Sequence, residues 1–498
     1  PEIDDHLRRA SELRDQATTH LAQVLPWQPE GDKVAAWTLQ DEATELEQLA
    51  RSKETEREQL MEGALVHEPD LPDAHRALAK LYRTVHQQLE RSRSHSSGRV
   101  EGLLRRHAIA LPDDDPDRQS HFAYLRGHGA LTLHSDPPGA EVRLHRYEVR
   151  NRRLVTLFER SLGRTPIEEE SIARGSYLLT LHHENRPTVR YPIHIGRLEH
   201  WDAVPPGATE SLPVPLPSQE QVPAGACYVP GGWTRLGGDP RALNSLPLHR
   251  TWIDGFFIQQ RPVTNREYLG FLERLLAQGQ HELALRCAPR ERPGSSQEEG
   301  ALIYGLQGDR FTLRADADGD LWQPDWPVMM VDLYGALCFA RERAKRSGNA
   351  WQLPGEHAWE KAARGTDGRF HPWGDHYDPS WACTRASHDG RPRPQSVDDF
   401  PVDESPFGVL GLGGNMQDWC LDPFHTQGRS HPGTRTPLSH GLEPDQLGEE
   451  PRVVRGGFWF GHEATARCAA RTQFTPTARH FVISLRCLLP LDGIDQRP

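Results

Sequence analysis

The chain has 498 residues and a formal net charge of −12, and this length predicts two to four domains rather than one core. The acidic balance argues against nucleic-acid binding, which needs clustered basic side chains. No run of 18 apolar residues occurs, so we expect no membrane span. The seven cysteines lie far apart without a CxxC pair, which argues against a zinc ribbon and favours a reducing, cytoplasmic location.

Residues 1–125 carry the periodicity of helices. One apolar stripe is formed by Leu7, Ala10, Leu13, Ala17, Leu21 and Val24. A longer charged helix is expected over 32–67, and the two prolines in 69–73 end it and start the next helix. Residues 74–82 resemble the first helix of a tetratricopeptide repeat (TPR), with small residues, Leu and Tyr at the packing positions. A generic helical hairpin is the alternative.

Residues 126–202 change to the two-residue period of strands, interrupted by turns. The pattern predicts a small β-sandwich that resembles the PEGA module, named for a Pro-Glu-Gly-Ala turn that reads Pro137-Pro138-Gly139-Ala140 here. We expect Gly139 to adopt a positive φ in this turn. Residues 203–221 are rich in proline and predict a semi-rigid linker.

A series of motifs follows in residues 222–492. They include Asp254-Gly255-Phe256-Phe257, Pro372-Trp373-Gly374-Asp375, Gly414-Asn415-Met416-Gln417-Asp418-Trp419, Arg455-Gly456-Gly457 and Leu485-Arg486-Cys487, with further matches at 262–268, 327–332 and 353–365. In this order they resemble the formylglycine-generating enzyme (sulfatase-modifying factor) family. The resemblance implies a loop-rich, C-type-lectin-like fold. The sequence therefore predicts a multidomain α+β protein with TPR-like, PEGA-like and formylglycine-generating-enzyme-like parts.

The cysteine pair that the family's oxidase chemistry requires is missing. The first cysteine position reads Gly461, and the shorter loop that follows it holds no thiol before Cys468. Copper(I) needs two thiolates held close together, which one displaced cysteine does not supply. We therefore expect that the chain is not an enzyme, and we expect no copper. The alternative is a copper-dependent, formylglycine-generating oxidase that acts on a protein cysteine through cysteines from elsewhere in the fold.

The resemblance predicts one cofactor, a structural calcium ion. Asn415 and Asp418 match part of the family's calcium motif, with Asp418 in place of Glu. A polar clasp that holds the loop is the alternative. Cys383 stands where the second calcium site of the family would have a ligand, so that site is not expected. The sequence contains no recognisable cluster of ligands for iron or zinc, and we expect neither metal. The acidic run 316–320 does not fit the ligand spacing of an EF-hand calcium loop.

The order of the three modules resembles the C-terminal part of large bacterial serine/threonine kinases. The chain begins at Pro1 and contains no kinase motif, so either a kinase lies upstream or this is a kinase-free relative. We expect a regulatory module of bacterial signalling that binds a protein partner. The surface beside the missing cysteine pair supplies the candidate partner-binding residues Trp459, Phe460, His462, Arg471 and Phe474.

Overall fold

The computed structural model describes residues 2–493 apart from 25–28, 92–95, 292–299, 309, 316–318, 427, 429–431 and 439–440. The chain divides into two compact units, Pro1–Gly127 and His128–Pro498. The first is built of helices and the second mixes strands and helices. The prediction of a helical N-terminal region followed by mixed helix and sheet is confirmed.

Two long helices of the first unit pack through alanine. Its helices are α1 (Glu2–Leu21), α2 (Val34–His67), α3 (Pro72–Arg91), α4 (Ser97–Ile109) and α5 (Pro116–Arg126). The buried residues of α1 are Ala10 and Ala17, and those of α2 include Ala36, Ala43 and Ala50. Seven-residue spacing keeps small side chains on one seam, which lets the two helices approach closely. The apolar stripe is narrower than predicted, because Leu7 is exposed.

Helices α3, α4 and α5 share a second core. It contains Leu78, Tyr82, Leu104, Ala108 and Tyr124. Two histidines also lie inside it: His75 and His107 join through their Nδ1 atoms at 3.0 Å. A buried polar group needs such a partner, because an unpaired one loses its hydrogen bonds to water.

The second unit begins with two facing sheets. Their strands are β1 (His128–Leu133), β2 (Ser135–Asp136), β3 (Glu141–Arg150), β4 (Arg153–Arg164), β5 (Ile167–Ala173), β6 (Gly175–His182), β7 (Val189–Ile195), β8 (His200–Trp201) and β9 (Val214–Pro215). One sheet has the order β5-β1-β8 and the other β4-β3-β6-β7. Apolar residues of both sheets form one core. Gly139 has φ 89° in the predicted turn, as expected.

The proline-rich segment 203–221 is not merely a linker. Within it, β9 pairs with β2, and Val214 and Leu216 are buried in the core of the sandwich. The Trp233 indole N–H donates to the Val204 carbonyl at 2.9 Å. The prediction that this segment is only a semi-rigid linker is wrong, because hydrophobic side chains between its prolines pack in the core of the sandwich.

In its described residues, the rest of the second unit consists of short strands, four α-helices and long loops. Its strands are β10 (Ala226–Val229), β11 (Gly232–Leu236), β12 (His249–Ile253), β13 (Phe256–Gln259), β14 (Gly305–Gln307), β15 (Arg310–Thr312), β16 (Gln417–Pro423), β17 (Arg435–Thr436), β18 (Arg452–Arg455), β19 (Arg471–Phe474), β20 (Ile483–Ser484) and β21 (Leu488–Pro490). Its helices are α6 (Asn265–Ala277), α7 (His281–Cys287), α8 (Leu333–Ser347) and α9 (Glu356–Arg364). The largest sheet, β19-β18-β16-β20, carries the motifs around Asp418 and Arg455.

The sandwich packs against this C-terminal part. The Leu154 N–H donates to the Trp373 carbonyl at 2.9 Å, and Arg190 pairs with Glu404 at 2.6 Å. The Arg369 guanidinium lies 4.4 Å from the centre of the Tyr147 ring. A cut at residue 220 would therefore expose groups that are now covered.

We predict that a chain starting at residue 128 keeps a single cooperative thermal transition, because the first unit has its own core. A chain starting at 220 should melt about 5 °C or more below it, since it loses the contacts of the sandwich. Differential scanning calorimetry of the two truncated chains measures this. Equal melting temperatures would show that the sandwich contributes no stability to the C-terminal part.

Candidate recognition site

Helix α9 carries charged side chains into the core of the C-terminal part. Glu356 accepts from the Arg471 guanidinium, with Arg471 Nε at 2.6 Å. Glu360 accepts from Arg364 at 2.7 Å and also pairs with Arg455. All five side chains are buried. Burial alone would raise the pKa of Glu360, but Arg455 and Arg364 outweigh it and lower the pKa to about 2.

These ion pairs connect the helix to the sheet beside it. Arg455 ends β18 and Arg471 begins β19, so both ends of the loop 456–470 are fixed to α9. Buried ion pairs of this kind hold one arrangement because a charge without its partner is costly to bury.

A second buried group lies at Asp418, on β16. Its Oδ2 accepts from the Arg486 Nε at 2.6 Å and from the Trp359 indole N–H at 2.8 Å. The Asn415 side chain exchanges hydrogen bonds with the backbone of Gln395, at 2.9 and 3.2 Å. Both predicted calcium ligands therefore have protein partners.

The residues around Asp418 do not fit a calcium ion. Calcium needs six to eight oxygen ligands, whereas Asp418 has one oxygen, Oδ1, without a hydrogen-bond partner, and the buried Arg486 guanidinium on its Oδ2 would repel a second cation. Across the described ranges, no group of three or more His, Cys, Asp or Glu is placed to hold a metal. Residues 316–318 of the acidic run lie outside those ranges. The arrangement matches the alternative reading, a polar clasp.

The loop that would carry the oxidase cysteines is filled in another way. A Cβ built at Gly461 would overlap the Thr465 hydroxyl, which donates to the His462 carbonyl at 2.8 Å. Cys468 is buried with 2% of its surface exposed, and burial raises the pKa of its thiol. A buried, protonated thiol is a poor nucleophile and a poor metal ligand.

Beside this loop the surface forms a groove of about 460 Å³. We call it the aromatic groove, and its apolar lining is Trp322, Trp326, Met329, Met330, Trp459 and Phe481. Residues 391–394, with two arginines and two prolines, form one of its walls. Arg391 pairs with Asp320 at 2.9 Å. An apolar cleft with a few charged groups at its rim is the usual form of a ligand site.

The groove is held in shape by its own contacts. The Trp459 indole N–H donates to the Phe481 carbonyl at 2.9 Å, and the two rings lie 5.6 Å apart. Met330 has φ 59°, a left-handed conformation that a residue with a long side chain rarely adopts. Strained residues of this type concentrate at functional sites.

The structure separates the five predicted partner-binding residues. Trp459 lines the groove, Phe460 beside it is 41% exposed, and His462 is exposed. Arg471 is fully buried in its pair with Glu356, so its prediction as a surface residue is wrong. Phe474 is half-buried and packs against the hydrophobic core, at 6.5 Å from the Trp419 ring. The pairing of β19 with β18 carries Arg471, the first residue of β19, toward the interior.

Sequence reasoning missed the rest of the groove's lining. Trp322, Trp326 and Phe481 come from loops far apart in the chain, so no local spacing could join them. Met329 and Met330 belong to the motif at 327–332, which indicated the fold but did not indicate that these residues line a groove. The closely spaced prolines and arginines of 391–394 were the available signal.

The two units and the loop-built groove define a protein of mixed helix and sheet whose C-terminal part carries an apolar cleft. The family model described as "Sulfatase-modifying factor enzyme 1-like domain" matches residues 213–490. This is more than half of the chain, and the chain belongs to that family.

Curated relatives match the same half. The "Uncharacterized protein YfmG" of Bacillus subtilis is 27% identical, over 53% of this chain and 54% of its own length. "Serine/threonine-protein kinase Pkn1" of Chlamydia trachomatis is 30% identical, over 52% of this chain and 37% of its own. The "Formylglycine-generating enzyme" of Thermomonospora curvata is 26% identical, over 55% of this chain and 96% of its own. The chain thus spans about half or less of the length of the first two relatives.

In the part of the chain that is described, no helix is long and apolar enough to cross a membrane.

We predict that Arg471→Met destabilises the protein by about 3–5 kcal/mol, because it leaves the Glu356 carboxylate buried without its partner. The matched control is Arg435→Met, which breaks the exposed pair with Asp254 and should cost about 1 kcal/mol or less. Urea unfolding of the two variants measures both values. Equal small losses would contradict the structural role of the buried pair.

A second prediction concerns His371, whose Nδ1 lies 2.9 Å from the Ala466 carbonyl. Burial lowers the pKa of this histidine to about 4. Its folded pKa is depressed below that of the unfolded chain, so its contribution to stability is complete above about pH 6.5 and is lost as the pH falls toward 4. The loss is on the order of 3 kcal/mol over that window.

His371→Asn should flatten the pH dependence of the free energy of unfolding between pH 4.5 and 6.5, because Asn can donate to the same carbonyl without titrating. His128→Asn, at an exposed position, is the control and should leave the slope unchanged. An unaltered slope in His371→Asn would show that this histidine is not held neutral in the folded state.

Proposed function

We propose that this chain is a non-catalytic protein-recognition and regulatory module. In this proposal a formylglycine-generating-enzyme-like domain has lost the oxidase chemistry of its relatives and keeps their cleft for binding. The observation that carries the proposal is the loop 456–470, where Thr465 fills the space of a side chain at Gly461 and Cys468 is buried. Neither position offers an accessible thiolate, so the reaction lacks its metal-binding pair.

The aromatic groove supports the recognition half of the proposal. Partner-binding hot spots are enriched in Trp, Tyr and Arg and lie in preformed clefts. Here, Trp459 is fixed by its hydrogen bond to Phe481, and Phe460 stands exposed beside it with the Arg385 guanidinium 5.0 Å from its ring centre. Rigid aromatic side chains lose little conformational entropy on binding.

A place in bacterial signalling follows from the relatives rather than from the groove. The Chlamydia trachomatis relative is named as a serine/threonine kinase, and the match covers 37% of its length. We propose that this chain is the tail or a kinase-free relative of such a protein, located in the cytoplasm. Its sandwich would then be a PEGA-like module and its helical unit a TPR-like one, each a scaffold for contacts with other proteins.

The alternative function is a copper-dependent oxidase that makes formylglycine from a protein cysteine. The name of the Thermomonospora curvata relative favours it, and so does one further pair of thiols. Interaction with the Cys338 side chain raises the pKa of Cys287, and interaction with Cys287 lowers the pKa of Cys338. Both are buried, Cys287 at the end of α7 and Cys338 within α8. They do not line the aromatic groove, so we place the alternative second.

The proposal predicts that Phe460→Ala weakens capture of the partner about tenfold or more, since a central aromatic anchor contributes about 1.4 kcal/mol or more. Tagged wild-type and variant chains would be compared by quantitative mass spectrometry after capture from a lysate of the source organism. Phe158→Ala is the matched control, because Phe158 on β4 is 61% exposed and lies on the sandwich.

A protein that is retained by the wild type and by Phe158→Ala but lost from Phe460→Ala supports the groove as the binding site. Identical capture by all three chains, at unchanged melting temperatures, would place recognition elsewhere in the molecule.

A further inference from the structure

A second groove lies in the helical unit. We call it the α3 groove, and its volume is about 510 Å³. It is lined by Arg57 of α2, by one face of α3 and by the start of α5. The side chains of α3 that reach it are Asp73, Arg76, Ala77, Lys80, Arg83, Thr84 and Gln87. Steps of three and four residues place them on one side of the helix.

The charges of the groove are unevenly distributed along α3. At its first turn, Arg76 is held by three carboxylates: Asp73 at 2.6 Å, Asp115 at 2.8 Å and Asp117 at 3.2 Å. This end therefore carries an excess of negative charge. All three acids pair with Arg76 at the first turn, and within the described residues none of them forms an ion pair with the basic residues further along the helix.

The later turns of α3 present cations without counter-charges. Within the described residues, neither Arg57 nor Lys80 forms an ion pair, and both are exposed. Arg83 donates to the Ser120 hydroxyl at 2.9 Å and lies 4.8 Å from the centre of the Tyr124 ring. Its contacts orient the guanidinium and leave its charge uncompensated. Three positive groups thus meet in one cleft of a chain whose net charge is −12.

We propose that the α3 groove binds an acidic segment of a partner protein. Carboxylates of the segment would pair with Lys80, Arg57 and Arg83, and the neutral side chains of Thr84, Gln87 and Ser120 can hydrogen-bond its backbone. A peptide can place two or three carboxylates at the basic end and neutral residues at the acidic one. The continuous phosphates of a nucleic acid would meet Asp73 and Asp117 at the other end, so charge complementarity favours a peptide.

This site is independent of the proposed function of the aromatic groove. The test uses the full chain and fluorescence anisotropy with a labelled peptide of alternating Glu and Gly residues. The same peptide with Lys in place of Glu is the specificity control, and a labelled single-stranded oligonucleotide tests the nucleic-acid source. Lys80→Glu and Arg57→Glu should each weaken binding of the acidic peptide about tenfold or more, whereas Lys80→Arg should retain it.

Arg9→Glu is the matched control, since Arg9 is an exposed arginine of α1 that does not line the groove. It changes the net charge by the same amount and should leave affinity unchanged. Equal weakening by Arg9→Glu and Lys80→Glu would overturn the proposal in favour of general charge attraction. Tighter binding of the oligonucleotide, or no binding of the acidic peptide by the wild type with its melting temperature intact, would also overturn it.

Discussion

The buried ion pairs of helix α9 are the constraint on which the C-terminal part depends. Glu360 meets Arg455, and Glu356 meets Arg471, with all four side chains removed from water. Each arginine stands at one end of the loop 456–470, so the helix fixes where that loop leaves and re-enters the sheet. Since unpaired charges are costly to bury, the loop can change its residues without changing its anchors.

This separation of anchors from loop residues explains how a scaffold can keep its shape while its chemistry changes. The residues that fix the loop are two arginines and two glutamates, Arg455 with Glu360 and Arg471 with Glu356. The residues that would carry oxidase chemistry lie between those anchors, at Gly461 and beyond. Function in loop-rich folds often resides in such segments, because a rigid frame tolerates their variation. The aromatic groove lies beside the same loop and uses Trp459 from it.

Sequence patterns predicted those parts of the molecule that depend on short-range chemistry. The change from helical to strand periodicity near residue 127 and the positive φ of Gly139 followed from spacing and residue type. Patterns failed where long-range packing decides. The residues next to Arg471 in the sequence do not indicate that its partner is the buried Glu356. The residues next to Val214 do not indicate that this segment pairs with β2. Of the residues that line the groove, only Trp459 was predicted, because most of its walls come from residues 320–330 and 391–394.

The measurement that tests the account most directly is oxidase activity of the intact chain. A peptide containing Cys-x-Pro-x-Arg would be incubated with the protein, copper and oxygen, and formylglycine would be followed by mass spectrometry. The account predicts no conversion above the copper-only background, and the same result for Cys468→Ser and Cys338→Ser. Turnover by the wild type that either substitution abolishes would contradict it and establish the chain as an enzyme.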